Sequence, residues 1–459
     1  VVLPVSALDK QLGIEIYASK SLGIGGVIRE AVDDFVVEEV LVDGSKASVN
    51  GDIPNKVLGS TLQKQRYLLC VLVKHNWDTF IAIKNVAKEL GIDQRRIQIA
   101  GIKDAKAITA QHLTIEDCLI EDASKVNVTD IQIYPVGYLR EAISLYYLLG
   151  NHFTIKIKAI KHKKSTIETR ISKTFEELEA LGGIPNFFGH QRFGTTRPIT
   201  HLVGKALVRG DFEEAAMLFL AKPSVHEHPA SKQARQELQI TRNFKIAMGN
   251  FPKQLRFERL MLNHLMDKPD DFIGAFQRLP IKLQELFVQA HQSYLFNRFL
   301  SERIRHGYSL NNAEVGDFVV AVERSGLPLN NMAKKVTEET IGCVNESIKA
   351  GKLRVALPII GVRQKLSQGV MGQIEKEVLE EEKIKMENLQ INESTRIGGK
   401  GGLRTTITPI RDFKLQNVSE NSGGKDWQAE LSFTLLRGSY ATVFLREIMK
   451  PKNPITAGF

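Results

Sequence analysis

Strand-like sequence stands at both ends of this chain, and helical sequence fills its middle. In NHFTIKIKAIKHKK (151–164), Phe153, Ile155, Ile157 and Ala159 alternate with Thr154, Lys156 and Lys158. That period of two gives an extended segment with one apolar and one basic face. AELSFTLL (429–436) restores strand texture near the other end, followed by GSYATVFLREIMK as a helix. From about 200 to 390 the pattern is helical, as in GDFEEAAMLFLAK, LPIKLQELFVQAHQSYLFNRFLSERIRHG and IEKEVLEEEKIKMENL. The last of these mixes charges at i,i+4 spacing and reads as an exposed helix face. IGGKGGLRTT (397–406) is glycine-rich and reads as a joint. Ends of one texture around a middle of another predict one domain built from both ends, with a second inserted. A length of 459 residues also exceeds what a single core holds.

The N-terminal part can be read more finely. IGGVIREAVDDFVVEEV (24–40) opens with a Gly-Gly turn and ends in a strand, and the polar loop LVDGSKASVNGDIPNK follows. RYLLCVLVKH (66–75) reads as a buried strand. Thr79 is the expected N-cap of a helix whose stripe is Phe80, Ile83, Val86, Ala87 and Leu90, with Gly91 at C′. IQIA (97–100) and HLTI (112–115) are short strands. They flank a charged loop carrying Lys103 and Asp104, so the order of elements is mixed α/β.

Charge and cysteine usage narrow the function classes. A net charge of +10 and a pI near 9.3 favour a polyanionic partner. Cys70, Cys118 and Cys343 are far apart and form no CxxC pair, so neither zinc nor a disulfide framework is expected, which fits a reducing cytoplasm. No apolar run approaches the roughly 18 residues of a membrane helix. VVLPVSALDK has no basic region before an apolar core, so no signal peptide is expected. Neither VGKAL (203–207) nor GGKGGL (398–403) supplies a P-loop, and Gly25-Gly26 lacks the dinucleotide fingerprint. His226-Glu227-His228 beside Pro229 reads as a loop rather than a metal site. No Ser or Cys stands in a nucleophile elbow. The basic face of 151–164 is either a solvated edge or a strip that tracks a phosphate backbone.

That leaves AGIKDAKAITAQHLTI (100–115). A Lys-Asp pair after glycine is a turn or a site. Held at a strand end, Asp104 would be partly desolvated, which makes a carboxylate a better nucleophile or base and raises its pKa unless a cation offsets this. Consecutive residues of extended chain face opposite ways. Lys103 therefore need not neutralise Asp104, and an arginine from elsewhere could.

At this point the sequence resembles the TruD family of tRNA pseudouridine synthases. GIKDAKAITAQ matches the family's catalytic segment G-x-K-D-x-x-A-x-T-x-Q, and GNHF (150–153) its G-N-x-F motif. NFFGHQRFG (186–194) matches a further hallmark, and the TTRPITHLVGKAL after it looks most like the archaeal branch. DFVVEEV (34–40) matches D-F-x-V-x-E, and LSFTLLRGSYATVFLREIM (431–449) matches the C-terminal F-x-L-x-x-G-S-[FY]-A-T-x-x-x-R-E. The five motifs stand in family order across nearly the whole chain.

The resemblance implies isomerisation of uridine to pseudouridine in tRNA, with uridine 13 of the D stem as the target, and no cofactor or metal. It implies an α+β fold: a pseudouridine synthase catalytic domain with a mixed, largely antiparallel sheet, formed by 1–185 and 405–459. A helix-rich α/β TRUD domain, 186–404, would be inserted. By motif position Asp104 is the catalytic aspartate. Asn151 matches the asparagine that contacts the substrate, Phe153 is the candidate to stack on the uracil, and Phe35 and Phe433 match two more aromatic positions of the pocket or are plain core. Arg29, Glu39 and Lys103 match charged positions around the site, Arg29 standing where other members carry lysine. Arg446 is the expected cation for Asp104. Phe187, Gln191 and Arg192 read as hinge structure at the crossing between domains. The expected partner is tRNA, with no membrane and no nucleotide cofactor. Two other readings stand beside this one: a tRNA-binding folding chaperone using the same basic cleft, and a hydrolase that releases uracil.

Overall fold

The computed structural model describes residues 3–52, 56–385, 399–421, 424 and 426–459. Its strands are β1 (Phe35–Leu41), β2 (Tyr67–His75), β3 (Ile97–Ile99), β4 (Ile108–Glu116), β5 (Ile131–Leu139), β6 (Leu148–Ile160) and β7 (Ile184–Pro185). They continue with β8 (Phe318–Val322), β9 (Pro328–Lys335), β10 (Leu353–Ile359), β11 (Gly402–Thr405), β12 (Ile407–Thr408), β13 (Ile410–Glu420) and β14 (Trp427–Leu436).

Strands from both chain ends share one mixed sheet in the order β13-β14-β6-β1-β4-β2-β5, with β3 also on β4. Only β1 and β4 run parallel. The register of β4 explains where a site can form. Along one edge it pairs first with β1, Glu38 opposite Ala110, and further on with β3, Ile99 opposite Leu113. Between those pairs the sheet divides. Gln111 and His112 of β4 fall at the division, and the loop from β3 back to β4 carries Asp104.

Alternation buries Phe35 and Val37 of β1, Phe153, Ile155 and Ile157 of β6, and Leu431 and Phe433 of β14 in one large core. That core includes side chains of the Lys164–Ala180, Ile281–Arg305 and Ala441–Met449 helices. A second core under β2 and β4 holds the Thr79–Glu89 helix, and a third is made by the helices between residues 200 and 287. A separate four-stranded sheet, β11-β10-β8-β9, follows the long Ile281–Arg305 helix.

Several local expectations need correction. The N-cap of the Thr79–Glu89 helix is Asp78, whose Oδ1 accepts from the amides of Phe80 and Ile81, and Thr79 is the first helical residue. Phe80 lies outside the buried stripe, which is Ala82, Ile83, Val86 and Ala87. Gly91 does take the left-handed conformation (φ 66°) that a C′ residue needs. The inward alternation of β6 ends at Ile157. Ala159 adopts φ 55° and Ile160 takes the buried position, beside a register shift against β14. The stretch read as helical from 200 to 390 is helical to Arg305, but then contains β8, β9 and β10. The end of IEKEVLEEEKIKMENL and the first two residues of the glycine-rich joint lie outside the described residues, as do three positions of the 41–56 loop. His226 and Glu227 lie in a loop, and His228 caps the Pro229–Thr241 helix, accepting from Ala230 N at 3.3 Å.

Candidate active site

Three side chains fix the loop at the divided edge by holding its backbone. Gln111 Nε2 donates to Gly101 O at 3.0 Å. Thr79 Oγ1 donates to Lys103 O at 3.1 Å and accepts from Lys103 N at 3.2 Å. Lys74 Nζ, wholly buried, donates to Asp104 O at 2.7 Å and to Trp77 O at 2.8 Å. Burial pulls Lys74 down to about 8, opposed by the attraction of Asp104 and Asp78.

With the backbone held, Lys103 and Asp104 point apart. Lys103 turns inward to Glu39 of β1, at 2.6 Å from Oε1. Glu39 Oε2 accepts from His112 N at 2.9 Å and meets His112 Nδ1 at 3.2 Å. Burial alone would raise Glu39; Lys103 and His112 outweigh it and hold the carboxyl below its ordinary value. Asp104 turns outward, its side chain 30% exposed.

The cation beside Asp104 is Arg29, not Arg446. Arg29 Nη2 lies 3.5 Å from Asp104 Oδ1, and the guanidinium lies 4.0 Å from the centre of the Phe35 ring. Arg29 adopts φ 57° immediately before the turn into β1. Arg446 is wholly buried elsewhere, with Nε 3.0 Å from Asp9 Oδ2 and Nη1 3.4 Å from Glu447 Oε1. A helix position that faces the core this deeply needs its own carboxylates, and Asp9 and Glu447 supply them.

Around Asp104 lies a cavity of about 370 Å³, within the range of small-ligand clefts. Phe35, Phe153 and Asn151 line it, as does Tyr440. Phe433 does not: it stacks behind Phe153, ring centres 5.4 Å apart at 27°, and meets Phe444 edge-on at 4.8 Å. Phe35 meets Phe153 edge-on at 6.2 Å. Asn151 and Phe153 share one side of β6 because they are two residues apart. Among the described residues neither Asn151 Oδ1 nor Thr442 Oγ1, both buried at this cavity, has a hydrogen-bond partner. A buried orphan acceptor is costly, so two at one cleft mark it for a polar ligand. A larger hollow, about 600 Å³ beside Asp211 and Arg242, has no such convergence.

Sequence reasoning underrated Gln191 and did not single out Thr442 or Lys74. Gln191 Nε2 donates to Asp104 Oδ1 at 3.0 Å. The signal was present, since NFFGHQRFG and GSYAT were both recognised as motifs, but nothing local says that they touch. Gly189 makes the contact possible: a Cβ there would lie 2.9 Å from Thr442 Oγ1 and from Tyr440 Cδ1. Among the described residues no group of three or more His, Cys, Asp or Glu side chains could hold a metal ion, and no helix is long and apolar enough to cross a membrane.

Known proteins resemble this chain over nearly its whole length. Residues 11–448 match the family model described as tRNA pseudouridine synthase D (TruD). A protein of Methanosarcina barkeri named as a probable tRNA pseudouridine synthase D is 38% identical, over 98% of each chain. One of Thermococcus sibiricus with the same name is 37% identical, over 95% of this chain and 97% of its own. A crystal structure of a Methanosarcina mazei protein assigned as tRNA pseudouridine synthase D superposes with a TM-score of 0.84 at 36% identity, covering 98% of this chain and 99% of that one.

Proposed function

The chain belongs to the tRNA pseudouridine synthase D family and is an isomerase of that kind, and we propose that it converts uridine 13 of the tRNA D stem to pseudouridine through Asp104, without a cofactor. The observation that carries this reading is the carboxylate itself. Asp104 is fixed through its backbone, faces a cleft with an aromatic wall, and lies beside orphan polar atoms of Asn151 and Thr442.

The reaction breaks the N1–C1′ bond, turns the uracil and joins C5 to C1′. The C5 proton is lost and N1 gains one, so the product is an isomer. Asp104 serves as the group that attacks the substrate or takes a proton. Phe153 stacks on the uracil, and base–aromatic stacking returns about 1–3 kcal/mol per base. Asn151 offers both a donor and an acceptor to the uracil edge. A base in a stem has to be extruded to reach a carboxylate, at a few kcal/mol of lost stacking and pairing. Ile102, 63% exposed on the lip beside Asp104, is the apolar side chain placed to fill the gap left in the stack. The net charge of +10 supplies the attraction for the phosphate backbone. With this reading goes a proposed division of the chain into a catalytic domain from 1–185 and 405–459, with 186–404 inserted and the RNA in the cleft between them.

Tritium release from C5-labelled uridine in a tRNA transcript tests the proposal. Release by the wild type and none by Asp104→Asn is the expected result. Binding of the transcript without release by the wild type would favour the folding-chaperone reading instead. Free uracil as product would mean hydrolysis.

A further inference from the structure

The two oxygens of Asp104 are not equivalent. Oδ1 accepts from Gln191 Nε2 at 3.0 Å and has Arg29 Nη2 at 3.5 Å. Among the described residues, no hydrogen bond or ion pair reaches Oδ2. A carboxylate can only accept, so it is the amide nitrogen of Gln191 that must face it.

Gln191 is itself well placed to hold a position. Its neighbours on both sides are anchored to different parts of the fold. His190 Nε2 lies 2.7 Å from the buried Asp9 Oδ1. Arg192 donates to Ser293 Oγ at 3.2 Å and to Gln289 Oε1 at 3.1 Å, both on the Ile281–Arg305 helix. The Gln191 backbone is thereby clamped between the chain's first helix and its longest, while its side chain reaches across the cleft.

We propose that Gln191 is a positioning residue: with Arg29 it occupies Oδ1 of Asp104 and so reserves Oδ2 as the oxygen that reacts. This rests on the reading of Asp104 as the reacting group. An aspartate free to turn about its Cβ–Cγ bond would present either oxygen at varying angles. Tying Oδ1 at two points removes that freedom, and small misplacements of a reacting atom are costly in rate.

Two variants test it. Gln191→Leu removes the donor and keeps the bulk, and Gln191→Glu puts an acceptor where the donor was. The Gln191 side chain lies at the surface, so neither change disturbs a core. In single-turnover tritium release from a labelled transcript, Gln191→Leu is expected to be roughly 10- to 100-fold slower than the wild type. Its affinity for the transcript stays within about twofold, because Gln191 acts on Asp104 rather than on phosphate. The loss falls on the rate at saturation and not on binding. The other charged groups facing Asp104, Arg29 from the turn before β1 and Lys74 from β2, are untouched by the variant, and Lys103 is turned to Glu39. Gln191→Glu is slower still at neutral pH, where two carboxylates would confront each other. A second readout needs no turnover: the Asp104 carboxyl ¹³C resonance, identified by its loss in Asp104→Asn, is displaced at neutral pH in Gln191→Leu, because its hydrogen-bond donor is gone. An undisplaced resonance overturns the proposal whether or not the transcript is turned over. So does a slower rate matched by an equal loss of transcript affinity, which a merely structural role would give. A wild type that releases no tritium with any transcript, while Gln191→Leu still displaces the resonance, would sink the synthase reading and leave the clamp standing.

Discussion

Lys103 Nζ and Glu39 Oε1 lie 2.6 Å apart with both side chains out of water, one residue away from the exposed carboxylate of Asp104. The lysine next to Asp104 is therefore a structural counter-ion, tying the site loop to β1 at the place where the sheet divides. Removing one partner of such a pair leaves a buried charge uncompensated, at about 3–5 kcal/mol. Glu39→Ala is expected to lower the urea midpoint by a corresponding amount and to slow tritium release by loosening the loop. Because Glu39 is held below its ordinary value, its contribution is fully present above the unfolded-state pKa near 4.5 and is lost as pH falls further. Denaturation of wild type and variant at pH 7 and pH 4 checks both points: the gap between them narrows at the lower pH.

A different set of buried groups governs stability nearer neutrality. His201 and His291 face Tyr294 at ring distances of 5.3 and 6.0 Å, and among the described residues neither ring nitrogen of His291 has a hydrogen-bond partner. Burial pushes them down to about 4 and about 3. Their unfolded forms take up protons near pH 6.5 while the folded forms do not, so stability is full above 6.5 and falls as pH drops below it. Each contributes roughly 1.4 kcal/mol per pH unit. Glu375 opposes them. It is buried, with Ser367 as its only hydrogen-bond partner among the described residues, and burial raises it to about 8, so its contribution grows as pH falls from 8 towards 4.5. Against one glutamate these histidines leave a net loss of stability as pH falls from 6.5 to 5, and His152 and His162, which burial also holds below their ordinary values, add to it. Urea titrations across that window are expected to show this slope, flattened in His291→Leu and steepened in Glu375→Gln.

How much of this was legible in the sequence follows from the range of each interaction. The strands carrying the site were legible because alternation is local: Phe153, Ile155 and Ile157 of β6 are buried as their spacing requires. Asp104, Asn151 and Phe153 were legible through motifs, and the structure brings all three to one cavity. Arg29 was placed near the site, but its pairing was given to Arg446. No spacing rule reports that the chain before β1 folds back over Phe35, or that Asp9, 437 positions away, is what Arg446 meets. The four-stranded sheet was missed because β9, PLNNMAKK, is largely exposed and has no apolar alternation. Thr79 reads as a cap because Thr favours that place. Asp78 caps instead and leaves the Thr79 hydroxyl for Lys103, a division of labour that depends on a loop 24 residues away.

The exposed Ile102 predicts a difference between substrates rather than a uniform loss. Its backbone neighbours are pinned by Gln111 and Thr79, so it projects from a rigid lip. If it replaces an extruded base, Ile102→Ala slows the reaction on a folded tRNA transcript by roughly tenfold, a fraction of the few kcal/mol that extrusion costs. An unstructured fragment with the same uridine has no stack to fill and loses little. Ile102→Leu keeps the apolar bulk and restores most of the rate. Equal losses on both RNAs would assign Ile102 to the pocket wall.

Asn151 and Thr442 give the sharpest separation of stability from activity. Asn151 Oδ1 and Thr442 Oγ1 are buried at the cleft without partners among the described residues. An unmade hydrogen bond of this kind costs about 1–3 kcal/mol in the free protein. Thr442→Val removes the hydroxyl and keeps the shape, so its folded state is expected to be as stable as wild type or more so, by up to about 1 kcal/mol. Asn151→Leu behaves in the same direction. In ordinary core positions such changes destabilise, because they strip a partner from a satisfied bond. If the partner here is the substrate, both variants lose activity while holding or gaining stability, Asn151→Leu more than Thr442→Val because it gives up both a donor and an acceptor. Thermal melts of the free proteins beside single-turnover rates on one transcript measure the two effects. A fall in melting temperature together with undiminished rate would show that these atoms serve the fold alone.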